Sequence, residues 1–173
     1  MAPLVIFVLS LPLGAEERPP VVSILDITEL LIYDWDGDGH GDRAALVDDE
    51  DGEIDLYLVL ASGEWEKMVD LVWSGSDVKP TLSINAAGSL VVHTANMGIG
   101  RHRWESKLTI AYRDGAFVIA GFDHSYHDTL NEYPEVEFTA NYLTGRSIKN
   151  KKVTKGKPRR IRVADWEQPN FEE

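Results

Sequence analysis

The sequence predicts an all-β domain, an antiparallel β-meander folded as a compact sheet or a sandwich. Three observations carry that expectation. Apolar residues alternate with others in short runs: Ile54, Leu56, Leu58 and Leu60 interleave with Asp55, Tyr57 and Val59, a period of two that presents one face to a core. Turn residues punctuate such runs at strand spacing. No long stretch holds a helical period. At 173 residues, 43% hydrophobic and 27% charged, the chain has the length of one domain and the composition of a folded one.

The elements follow in order. Pro3 to Leu13 is an apolar run of 11 residues, too short for a bilayer span of about 20. It ends in Leu13-Gly14-Ala15, followed by Glu16-Glu17-Arg18-Pro19-Pro20, the pattern of a signal peptide cleaved after Ala15. No Lys or Arg precedes the run, and a hydrophobic first strand is the competing reading, opposed by the two prolines. Residues 1–15 are therefore expected to be a signal peptide and residues 16–173 a single β-rich domain, periplasmic or secreted. Leu30–Tyr33 and Ala44–Val47 are apolar and short. Asp51-Gly52 separates Ala44–Val47 from Ile54–Leu60, and Asn85–Gly88 separates Leu82–Ile84 from Ser89–Thr94. Asp114-Gly115 joins Leu108–Tyr112 to Phe117–Ala120, a hairpin signal because a type I′ turn needs two residues tolerant of positive φ. Residues 124–136, polar and containing Pro134, read as a loop. Phe138–Tyr142 is extended, with turns at Thr144-Gly145 and Gly156-Lys157-Pro158 before Ile161–Val163.

Charge narrows the function classes. The net charge is −12, from 17 basic and 29 acidic residues, which opposes a nucleic-acid grip. The absence of cysteine excludes disulfides, thiolate metal sites and a Cys nucleophile. Residues 146–173 hold nine basic and four acidic residues, a net +5 that leaves −17 on the remainder. A basic C-terminal hairpin over 146–163, folded back on the acidic body, is expected. An external anionic surface is the alternative partner for it.

Residues 34–42 carry the chemistry. They read Asp34-Trp35-Asp36-Gly37-Asp38-Gly39-His40-Gly41-Asp42, the pattern D-x-D-x-D-G-x-G-D. Ca²⁺ takes six to eight oxygens, and a tight loop can turn carboxylates inward from positions 1, 3, 5 and 9, with the His40 carbonyl at position 7. Gly39 at position 6 permits the sharp turn. Position 12 is Ala45 rather than Glu, and apolar strands flank the loop, so this is not a helix–loop–helix site. The metal ligands expected are Asp34, Asp36, Asp38, His40 and Asp42. An acidic Gly-rich turn without an ion is the plain alternative.

An EF-hand-like loop between two strands resembles the calcium loops of FG-GAP/VCBS repeats, found in integrin-type propellers and many secreted bacterial proteins. The resemblance covers about residues 28–62 and implies Ca²⁺ ligation by Asp34, Asp36, Asp38 and Asp42. One motif is too little for a propeller of four or more blades. Phe138–Ser147, around Asn141-Tyr142-Leu143-Thr144-Gly145, is similar to uncharacterised exported bacterial proteins, which implies no activity.

Other sets are weaker. Asp48–Glu53 is acidic but lacks ligand spacing and reads as a solvated tip. His124 and His127 with Asp123 and Asp128 could hold zinc, but no third His is near. Ser125 lacks a G-x-S-x-G elbow. Gly98–Arg103 opens no helix and is no dinucleotide fingerprint. Trp35, Trp65, Trp73, Trp104 and Trp166 read mainly as core residues, with sugar stacking as the alternative. The sequence thus points to an exported, non-enzymatic β-domain with one structural Ca²⁺ and an unknown protein or glycan ligand. It shows no nucleic-acid signature, no membrane span and no complete catalytic set. The competing class is a periplasmic hydrolase, or a hydrolase inhibitor, whose site is assembled from distant residues.

Overall fold

The alternation of apolar and polar residues is realised as two antiparallel sheets in a computed structural model, which describes residues 22–48, 53–73, 78–131 and 135–169. The expected signal peptide, 1–15, and residues 49–52 of the acidic tip lie outside the described residues. Strands β1 (Ile27–Tyr33), β2 (Asp42–Asp48), β3 (Glu53–Val59) and β4 (Trp65–Trp73) form a four-stranded sheet in chain order. A seven-stranded sheet follows, also in chain order: β5 (Val78–Ile84), β6 (Leu90–Asn96), β7 (His102–Arg113), β8 (Ala116–Asp128), β9 (Val136–Asn141), β10 (Arg146–Lys149) and β11 (Lys152–Lys155). Within each sheet every strand pairs with its chain neighbours, so the architecture is a meander of two open sheets, and no α-helix occurs among the described residues.

The two sheets share one core, which makes the fold a sandwich. Leu46, Leu56 and Leu58 of the small sheet and Leu90, Ile110 and Ile119 of the large one are all fully buried. Burying each such side chain contributes about 1.5–3 kcal/mol. The alternation in β3 places Leu56 and Leu58 inward while Tyr57 is half-exposed. Asp114 and Gly115 take φ values of 48° and 79°, the two positive angles of a type I′ turn, and Arg113 pairs with Ala116 across it.

Two segments differ from expectation. The expected loop 124–136 is strand as far as Asp128: Ser106 pairs with His124 and His102 with Asp128. Its polar residues, mostly half-exposed, misled because a wet sheet face accepts polar side chains as a loop does. Within the expected basic hairpin, 146–163, the paired strands end at Lys155. Residues 156–162 run on as a strap, stitched down by backbone bonds rather than by charge. The Gly156 amide donates to the Gly145 carbonyl (2.7 Å), the Arg159 amide to Tyr142 (2.8 Å) and the Ile119 amide to Ile161 (2.8 Å). A single 3₁₀ turn, Val163–Asp165, then sinks Val163 into the core and leads to Trp166, packed on Phe122 and Tyr142 at 5.3 and 5.6 Å. Arg160 and Arg162 add ion pairs with Asp114 and Glu66. No helix among the described residues is long and apolar enough to cross a membrane.

Candidate metal centre

The D-x-D-x-D-G-x-G-D segment closes the β1–β2 hairpin, whose last pair is Tyr33 with Asp42. Gly37 and Gly39 have φ of 79° and 86°, which L side chains adopt only with strain, so these glycines let the loop curl. Asp34 organises the curl: one carboxylate oxygen accepts the Gly37 amide at 2.8 Å and the other the Gly39 amide at 3.0 Å. Asp36 accepts the Asp38 amide at 3.0 Å.

Asp42, the last residue of the motif and the first of β2, is 0% exposed. Its two oxygens accept the amides of Trp35 (2.8 Å) and Ala61 (2.9 Å), so no acceptor is left bare in the interior. Trp35 in turn packs edge-on against Phe117, with centroids 5.7 Å apart, and anchors the loop on the core.

Asp34, Asp36 and Asp42 each place a carboxylate oxygen so that the three lie within 4.8 Å of one another. Of the other two expected ligands, the Asp38 carboxylate lies outside that cluster. Asp38 faces His40, accepting its amide at 2.7 Å and lying 3.3 Å from its Nδ1, and the His40 ring is 76% exposed. What the sequence assigns to His40 is its carbonyl, not its ring. Electrostatics fit a cation-seeking loop. The hydrogen bond from the Asp38 amide is the largest single influence on the Asp36 carboxyl and pulls it down. Burial and the charges of Asp38, Asp42 and Asp34 together outweigh it, and the net shift is upward.

The weaker sets do not assemble. His124 and His127 are three apart on β8 and so project to opposite faces. His124 bonds the Ser106 hydroxyl through Nδ1 at 2.8 Å and stacks on Phe122, and burial lowers its pKa. Ser125 shares a face with Asp123 and His127 but hydrogen-bonds neither. Asp128 is clamped by Arg101, whose Nε lies 2.9 and 2.8 Å from its two oxygens, and this partner holds its carboxyl down at about 2. Asp128 is therefore an ion-pair residue rather than a free ligand.

Sequence reasoning missed Asp42's structural bond to Ala61. The contact joins residues 19 positions apart and leaves no local signal. Compared with known protein families, curated proteins and solved structures, the chain matches none.

Proposed function

We propose that residues 34–42 bind one Ca²⁺ and that the ion fixes the β1–β2 loop of an exported, non-enzymatic binding module. The observation that carries this reading is the convergence of carboxylate oxygens from Asp34, Asp36 and Asp42 within 4.8 Å. Three carboxylates so close repel one another, and a hard dication relieves the repulsion while accepting oxygen ligands. Asp38, on exchanging its bond to the His40 amide for the ion, and the His40 carbonyl complete the donor set, with water in the place of the bidentate ligand that Ala45 cannot supply. Affinity is accordingly modest. The resemblance of this loop to FG-GAP/VCBS repeats supports the choice of Ca²⁺, and the apolar run before Glu16 supports export. The ion acts structurally, locking the loop that carries Trp35 and, through Trp35, the contact with Phe117. The ligand of the module is a protein or a glycan.

Calorimetric titration of chelator-stripped protein with CaCl₂ tests the reading. One saturable site, absent in Asp36→Ala and far weaker for MgCl₂, is expected. No binding heat at millimolar Ca²⁺ contradicts it.

A further inference from the structure

A cavity of about 910 Å³ opens where the two sheets meet the C-terminal strap. The β3–β4 turn and the start of β4 supply Glu64 and Glu66, the β7–β8 hairpin supplies Tyr112 and Phe117, and the strap supplies Arg162 and Asp165. The volume lies in the range of small-ligand sites. The sequence gives no hint of it, because its walls come from three segments far apart in the chain.

The unpaired charge on the wall is one-sided. Glu64, Glu66 and Asp165 face the cavity with the aromatic residues Trp65, Tyr112 and Phe117, and the two cations there are already paired, Arg162 with Glu66 at 3.0 Å and Lys67 with Asp55 at 2.6 Å. Glu64 and Asp165 make no ion pair among the described residues and are exposed to solvent in the cleft. Tyr112 meets the buried Phe117 edge to face at 5.1 Å, and Tyr112 and Trp65, both half-exposed, give the cleft its aromatic wall. The Tyr112 hydroxyl registers the local field. Burial raises its pKa, and the carboxylates of Glu64, Asp36, Asp42 and Glu66 add to the rise. An anionic ligand would be repelled here, whereas a cation gains from the carboxylates and from the half-exposed rings of Trp65 and Tyr112. Arg162 on Glu66 is the chain's own example of what this wall accepts.

We propose that this cleft is a binding site for an organic cation, a primary amine or guanidinium on a slim aliphatic stem, with Glu64 and Asp165 as its charge partners and Tyr112 and Trp65 as its apolar wall. The stem lies along the aromatic rings and the cationic head reaches the two unpaired acids. A free polyamine and a lysine or arginine side chain of a protein share this chemistry. The site takes none of the proposed Ca²⁺ ligands as its own, although Phe117 joins it to that loop through Trp35, so either proposal can fail without the other.

Calorimetry at low salt with two probes tests it: spermidine, and an end-capped peptide carrying one lysine among glycines. The cleft variant is Glu64→Gln/Asp165→Asn. The control is Asp26→Asn/Asp48→Asn, which removes the same charge at the far end of β2. All four positions are exposed, and a melting curve of each variant checks that the fold persists. Binding of either probe that weakens at least about tenfold in the cleft variant, and less than about twofold in the control, supports the site. Heat from spermidine alone then assigns a free polyamine, and heat from the peptide alone a protein side chain. No heat from either probe at millimolar concentration overturns the proposal, as does an equal loss in both variants, which would mean attraction to net charge alone.

Discussion

One carboxylate oxygen of Asp42 accepts the amide of Ala61 at 2.9 Å while the other accepts the amide of Trp35 at 2.8 Å. A single buried side chain therefore joins the β1–β2 loop to the β3–β4 turn, and the residue expected to hold a metal also holds the fold. Asp42→Ala leaves two amides without their acceptor, at about 1–3 kcal/mol each where water cannot replace it. The variant should lose at least about 2 kcal/mol in urea denaturation with chelator present. Asp38→Ala, in the exposed part of the loop, should lose less than about 1 kcal/mol under the same conditions. Equal losses would mean that Asp42 acts only through a metal.

Gly145 has a φ of 72°, and a Cβ there would lie 2.5 Å from the Gly156 carbonyl oxygen and 2.7 Å from the Lys157 carbonyl carbon. Both obstacles are backbone, so neither can swing aside. Gly145→Ala should cost about 1–3 kcal/mol from the left-handed backbone alone, with displacement of the strap in addition. Amide exchange at Gly156 and Arg159 should rise with it. A variant as stable as the parent would show that the strap does not press on this turn.

Asp128 holds its proton only near pH 2 because Arg101 sits beside it and the Leu130 amide bonds it. A carboxyl depressed in the folded state contributes stability that is present above its unfolded pKa, about 4, and is lost as pH falls toward 2. Arg101→Met should flatten that part of the acid limb between pH 4 and pH 2. Urea midpoints of the two proteins across this range provide the check. Parallel acid limbs would assign the loss to other carboxylates.

The basic segment invites a salt test. Charge alone would make its docking fade as ions screen it within about 10 Å at 0.1 M salt. The strap is instead held by backbone hydrogen bonds and by Val163, which is 1% exposed. Truncation after Lys155 should destabilise the domain at low and at high salt to a similar degree. Arg160→Ala, which breaks an exposed pair with Asp114, should cost under about 1 kcal/mol. Loss of the truncation's effect at high salt would restore the electrostatic account.

Local pattern was enough to find most strands. Period-two alternation located β3, and Asp114-Gly115 located the tight turn of the longest hairpin, because both depend on residues adjacent in the chain. The continuation of β8 through His124 and His127 was hidden, since polar side chains on a half-exposed face look like a loop. The change from hairpin to strap after Lys155 was hidden too: what holds residues 156–162 is the backbone of Tyr142, Gly145 and Ile119, and backbone partners leave no trace in side-chain composition. At the loop, spacing alone singled out Asp34, Asp36, Asp38, His40 and Asp42, and the carboxylates of Asp34, Asp36 and Asp42 are the ones that cluster. Asp38, outside that cluster, bonds the His40 amide instead, a choice of partner that spacing does not reveal. The cleft walled by Glu64, Tyr112 and Asp165 depends entirely on tertiary placement.

In chelator, Asp36 has a raised carboxyl pKa in the folded protein. Its contribution to stability is complete below the unfolded value of about 4 and is lost as pH rises through the folded value. Ca²⁺ binds the ionised carboxylates, so in its presence stability should instead rise with pH across that titration. The most direct measurement is the thermal midpoint at pH 7 in millimolar CaCl₂ and in EGTA, for the parent and for Asp36→Ala. An ion that binds only the folded state adds about 2.7 kcal/mol at one hundred times Kd. The account predicts a midpoint several degrees higher in Ca²⁺ for the parent and no difference for Asp36→Ala. Identical midpoints for the parent in the two solutions would contradict it.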